Sequence, residues 1–131
     1  MTRPQRILIV AGDAQSEIMR GPLEERYEVE SAQNFDSAFG KLIDSDFDLV
    51  IVDLEDASSG VEFIKQVRTA TQSHRTLMLV LVEWGTGGAT LALAQGADAY
   101  EPKPLDVARV TASVERLLGG KIALATGTGL E

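Results

Sequence analysis

The sequence predicts a doubly wound α/β domain, with a five-stranded parallel sheet held between two layers of helices as a three-layer α/β/α sandwich. Three observations carry this. Runs of Ile, Leu and Val at 6–10, 49–54 and 76–82 are nearly continuous, as in strands buried on both faces. Helix-period segments fall between the runs. Three of the strand candidates lead into residues able to do chemistry: Ala11-Gly12-Asp13 after the first, Asp53 at the third, and Lys103-Pro104 after the fifth. Right-handed crossovers and the common solution at this size give the strand order 2-1-3-4-5. Its switch point lies between the first and third strands, so Asp13, Asp53 and Lys103 share the carboxyl edge where such sheets place ligands.

The elements follow in order. Strand candidates are 6–10, 28–32, 49–54, 76–82 and 98–100; the second alternates weakly, as an edge strand does, and the fifth is short. Gly21-Pro22 interrupts the first helical segment at 16–27. An interior proline removes a hydrogen bond and clashes with the preceding turn, so a kink is expected, or a helix that effectively starts near Pro22. Phe35, Ala38, Phe39, Leu42 and Ile43 follow i, i+3, i+4, i+7, i+8, with Asn34 as N-cap. Phe63, Ile64 and Val67 form a stripe beside Glu62, Lys65 and Arg68. Val107, Val110, Val114, Leu117 and Leu118 mark a final helix, ended by Gly119-Gly120. The domain is therefore expected over 1–119, with 120–131 a linker or disordered tail.

A chain of 131 residues with 44% apolar content fits one domain with a real core. Without cysteine it has no disulfide framework, thiol catalysis or Cys-ligated zinc, which is compatible with a cytoplasmic protein. No apolar run approaches the length of a bilayer span, and 1–6 lacks the apolar stretch of a signal peptide. A net charge of -8 argues against non-specific nucleic-acid binding, which needs clustered Lys and Arg. Neither a membrane nor a nucleic acid is an expected partner.

Two carboxylates and an amine at one sheet edge suit charge-compensated phosphoryl chemistry, and the surrounding residues sharpen this. Arg6-Ile7-Leu8-Ile9-Val10, Asp48-Leu49-Val50-Ile51-Val52-Asp53, the following Gly60, and the stretch from Ala92 through Gly96-Ala97, Tyr100 and Lys103-Pro104 resemble response-regulator receiver domains of two-component signalling. The resemblance covers about residues 5 to 118 and implies a flavodoxin-like fold. It implies that Asp53 is the phospho-acceptor, attacking a phosphohistidine as a carboxylate nucleophile. It further implies that Lys103 contacts a phosphoryl oxygen, aimed by a cis bond before Pro104, and that Tyr100 is a switch residue.

The departures bear on mechanism. The family's adjacent acids after the first strand, which hold Mg2+ with the acceptor aspartate, are replaced by Ala11 and Gly12. Asp13 and Glu55 are the residual acids available for a metal that is commonly held by one or two carboxylates and water. No cofactor is certain, and Mg2+ binding is expected to be weak or absent. The segment 54–60 lacks the usual Met-Pro and is about one residue short. Val82, or with a one-residue shift Glu83, takes the position of the family's Thr or Ser, and neither offers a small hydroxyl.

The leading expectation is an atypical receiver with impaired Mg-dependent phosphorylation, not an enzyme beyond self-phosphorylation and dephosphorylation at Asp53. It would bind a histidine kinase, phosphotransfer protein or output domain through the fourth helix, fifth strand and fifth helix; a homodimer is compatible with this. The alternative is an active phospho-acceptor at Asp53, and a remote one is a flavin or nucleotide binder. Fold alone implies no ligand. Gly85-Thr86-Gly87-Gly88 lacks the lysine and Ser/Thr of a P-loop. His74 lies in a polar stretch, and Trp84 is either a partner contact or buried beneath the glycine loop.

Overall fold

A computed structural model describes residues 4–54, 57–70, 76–83 and 87–126. Five parallel strands, β1 (Arg6–Val10), β2 (Glu28–Ala32), β3 (Leu49–Asp53), β4 (Leu77–Val82) and β5 (Ala99–Pro102), form one sheet in the order β2-β1-β3-β4-β5. The helices are α1 (Asp13–Glu24), α2 (Phe35–Asp44), α3 (Ala57–Ala70), α4 (Gly88–Gln95) and α5 (Val107–Thr126). The expected order and the edge position of β2 are both found.

The near-continuous apolar strands have their cause in two cores. Leu8, Val10, Val50, Val52, Met78, Val80 and Val82 point to the face covered by α2, α3 and α4. Ile7, Ile9, Leu49, Ile51, Leu79 and Leu81 point to the other, covered by α1 and α5. Alternate side chains leave a strand on opposite faces, so a strand buried on both shows no polar phase. Fully burying one such side chain stabilises by roughly 1.5–3 kcal/mol.

Five sequence expectations need correction. α1 starts at Asp13, well before Pro22, which lies exposed in its last turn. A proline that late costs one helical hydrogen bond, and the chain leaves the helix with Tyr27 N–H donating to Leu23 O at 2.9 Å. α5 runs through Gly119-Gly120 to Thr126, because a glycine pair costs a helix only about 1 kcal/mol per residue and the following segment is rich in helix formers. β3 ends at Asp53, one residue early. β4 starts at Leu77: the Thr76 hydroxyl instead donates to Phe47 O at 3.0 Å. β5 is shifted to Ala99–Pro102 because the Asp98 carboxylate accepts from Met78 N–H at 2.8 Å, taking a ladder partner by side chain.

Two glycines explain close packing. Gly96 caps α4 at φ 125, a conformation that side chains rarely adopt, and the turn it makes delivers the chain to β5. A Cβ on Gly60 would stand 2.0 Å from Leu54 Cδ2, so glycine there lets α3 lie against the end of β3. Arg68 ties the opposite edge together, donating to Thr76 O at 2.6 Å and Gly96 O at 2.8 Å and pairing with Asp98 at 2.9 Å.

Candidate functional site

The switch point between β1 and β3 opens into a cleft of about 410 Å³ at the carboxyl edge of the sheet. β3 delivers Asp53 to it, only 6% exposed, and Leu54 N–H donates to Leu81 O at 2.9 Å just beyond. β1 delivers Val10, Ala11 and Gly12 to the neighbouring wall. The joint between β2 and α2 supplies Gln33, Asn34 and Phe35, and the first turn of α3 supplies Ser59. Asn34 is the N-cap expected of it: its Oδ1 accepts from Ser37 N–H at 2.8 Å.

Lys103 reaches this site from the β5–α5 connection. Its backbone N–H donates to Val82 O at 2.8 Å, continuing the β4–β5 ladder past Pro102. The Lys103-Pro104 bond is cis, as the sequence led us to expect. The Lys103 ammonium forms an ion pair with Asp53 Oδ1, without satisfying hydrogen-bond geometry, and lies 3.5 Å from Leu54 O. Both side chains are largely withdrawn from water, 13% and 2% exposed, so removing either partner leaves an uncompensated buried charge.

The other site candidates are placed as follows. Asp13 is the first residue of α1, exposed, and accepts from Gln33 Nε2 at 2.6 Å; it does not line the cleft. Ala11 is buried and Gly12 is the N-cap of α1, with no side-chain cap. Val82 is buried and its backbone oxygen accepts from Lys103 N–H, whereas Glu83 is exposed. Tyr100 pairs with Val80 and is 41% exposed. Glu55, His74 and Trp84 lie outside the described residues.

Among the described residues, the donors lining the cleft do not make up a magnesium site. Magnesium takes oxygen ligands in near-octahedral geometry, but among the described residues Asp53 is the one carboxylate lining the cleft, and it is already engaged by an ammonium. Among the described residues no three acids or histidines come together. Among the described residues, one carboxylate of the cleft stands against one ammonium.

Sequence reasoning missed Gln33, Asn34, Phe35 and Ser59 as cleft walls. They carry no motif, and only the sheet order brings their connections to this edge. It also missed the buried Ser113 hydroxyl, which donates to Glu101, whose carboxylate pairs with Arg109 at 3.3 Å.

No family model matches the chain. It is 29% identical over 121 residues to the transcriptional regulatory protein ResD of Bacillus subtilis, covering 89% of this chain and 49% of ResD, so it spans about half the length of that relative. Among solved structures, it is similar to a two-component response regulator from Clostridium difficile, with 26% identity, 87% of this chain and 95% of the other covered, and a TM-score of 0.76. It is also similar to the chemotaxis protein CheY4 of Vibrio cholerae, with 25% identity, 88% and 99% covered, and a TM-score of 0.76. Fold and site together define a flavodoxin-like signalling domain with an aspartate–lysine pair at its switch point. The chain is a response-regulator receiver domain.

Among the described residues no helix is long and apolar enough to cross a membrane.

Proposed function

We propose that this receiver signals through protein contacts with its Mg-dependent phosphorylation impaired. The observation that carries the reading is the composition of the cleft: Ala11 and Gly12 line it where the family places two acids, while Lys103 already neutralises Asp53. An aspartyl phosphate would add close to two negative charges, treated like other phosphates. Lys103 would offset about half of that, and the buried Val82 has no hydroxyl to follow the phosphoryl group. A ligand shifts an equilibrium only through contacts that differ between two states. With those contacts missing, the resting conformation is the working one.

Partners of the kind receivers serve, a histidine kinase, a phosphotransfer protein or an output domain, would meet the face formed by α4, β5 and α5. Leu91, Leu93 and Tyr100 are exposed on α4 and β5, which supports that choice. The test is a comparison of wild type with Asp53→Asn in a cellular output assay. Because Asp53→Asn also strands the Lys103 ammonium, output is compared per amount of folded protein; equal output is expected, and loss of output in the mutant, with a stable aspartyl phosphate in the wild type, would establish the second reading. That reading, an active acceptor, is favoured by one observation, the presence of the Asp53–Lys103 pair.

A further inference from the structure

Asp53 lines the cleft at the switch point, and its side chain is only 2% exposed. Lys103 meets Oδ1 as an ion pair without hydrogen-bond geometry, and no other described residue donates to the carboxylate. An ionised carboxylate has about four acceptor positions. A buried acceptor left without donors costs free energy that a made hydrogen bond returns. The cleft therefore favours an occupant that brings a donor to Asp53. Asn34, on the same cleft, has its Oδ1 taken by Ser37 N–H and keeps an NH2 group for an acceptor on that occupant.

Charge and shape narrow the class. An anion would face a buried carboxylate, and a cation would compete with the ammonium that already balances it. An uncharged donor meets neither cost. Val10, Ala11 and Gly12 make one wall apolar, and a Cβ on Gly12 would meet nothing within 4 Å, so this wall carries little bulk. Phe35 gives an aromatic wall, held by its stack on Phe63 at 4.8 Å between ring centres. A flat ring gains from contact with such a side chain beyond the area it buries. At about 410 Å³ the cleft has the size of small-molecule sites, and it lies where open α/β sheets bind ligands.

We propose that the Asp53 cleft binds a small, flat, uncharged amino-heteroaromatic molecule. Its exocyclic N–H donates to the Asp53 carboxylate, a ring nitrogen accepts from the Asn34 amide, and its apolar face lies among Val10, Ala11 and Phe35. The proposal rests on the reading of this cleft as one that does not run Mg-dependent phosphorylation. It gives such a receiver an input of its own, since the loss of the acids at 11 and 12 leaves room beside Asp53 for an organic molecule.

The test is an NMR titration of the isotope-labelled full chain with 2-aminopyrimidine, run without Mg2+. The controls are pyrimidine, which lacks the donor, and benzoate, a flat anion of similar size. Saturable shifts are expected at Val10, Gly12, Asn34, Phe35 and Asp53 with 2-aminopyrimidine. Pyrimidine is expected to bind at least about tenfold more weakly, because it makes no hydrogen bond to the charged acceptor. Benzoate is expected not to bind. Gly12→Leu, at a φ of -64 that any side chain adopts, is expected to abolish the shifts by filling the cleft beside Asp53. No saturable shifts, an equal response to pyrimidine or benzoate, or binding unchanged in Gly12→Leu would overturn the proposal. A separate Mg2+ titration keeps the two readings apart. Saturable Mg2+ binding would overturn the impaired-phosphorylation reading, whereas silence towards both Mg2+ and 2-aminopyrimidine would overturn this inference alone.

Discussion

The Lys103 ammonium meets Asp53 Oδ1 directly, an ion pair between the ends of two parallel strands separated in the sheet by β4. Two unit charges about 4 Å apart gain roughly 4 kcal/mol of raw Coulomb energy at an effective dielectric near 20. Desolvation offsets much of that, so the pair contributes less to net stability than its breakage would suggest. Removing either partner has a different consequence from removing both.

Lys103→Met is therefore expected to destabilise the fold by about 3–5 kcal/mol, because it strands a buried carboxylate. Asp53→Leu with Lys103→Met should recover most of that loss. Urea unfolding of the two single variants and the double variant measures the coupling. Additive losses would mean that the ion pair does not bind the two strand ends together.

Gly12 offers a gain-of-function test. A Cβ at this position meets nothing within 4 Å, so Gly12→Asp has room for its side chain at the border of the Asp53 cleft. Millimolar Mg2+ is expected to leave the wild type's melting temperature unchanged and to raise that of Gly12→Asp, more so when combined with Ala11→Asp. Each added carboxylate supplies charge-assisted contacts of about 1.5–3 kcal/mol. Calorimetric titration gives the same comparison directly. Sub-millimolar affinity in the wild type would show that acids outside the cleft lining had replaced the missing pair.

The Gly60–Leu54 approach predicts a packing defect. Gly60→Ala must displace a buried leucine side chain and is expected to cost about 1–3 kcal/mol. Denaturant unfolding measures it. A neutral result would mean that α3 can slide outward from the end of β3 at no cost.

Glu30 sets one feature of the acid limb of stability. Burial pushes its pKa up, but hydrogen bonds and charges from Lys41 and Arg6 together outweigh this and leave it lowered. The folded state thus favours the carboxylate. Its contribution is complete above the unfolded value of about 4.3 and is lost as pH falls through the lower folded value. The side chain is 41% exposed, so screening keeps the effect small, a shift of a few degrees at most. Glu30→Gln is expected to flatten the fall in melting temperature below about pH 4.3 and to leave a small deficit above it.

Much of the architecture was legible because burial on both faces erases the polar phase of a strand, as in Leu49–Asp53, where every residue is buried. The aspartate and lysine could be placed together because strand order fixes which ends meet. Local breakers were less informative. Pro22 suggested a helix start and Gly119-Gly120 a helix end, but Pro22 lies in the last turn of α1 and α5 continues through the glycines. Periodicity also could not tell which apolar residue of a helix falls on its flank: Ile43 fits the α2 pattern yet is mostly exposed. The walls of the Asp53 cleft were invisible for a different reason. Gln33 and Ser59 come from separate connections, and their proximity exists only once the sheet is assembled.

Whether the domain has a phosphoryl-driven switch is tested most directly by its amide NMR spectrum with and without beryllofluoride in millimolar Mg2+. Resonances of Val82, Tyr100 and Lys103 are expected to stay in place if, as we propose, the cleft makes no contacts that distinguish a phosphorylated state. Saturable shifts at those three residues, abolished by Asp53→Asn, would contradict a phosphorylation-independent receiver and return this chain to the ordinary phospho-acceptors of its family.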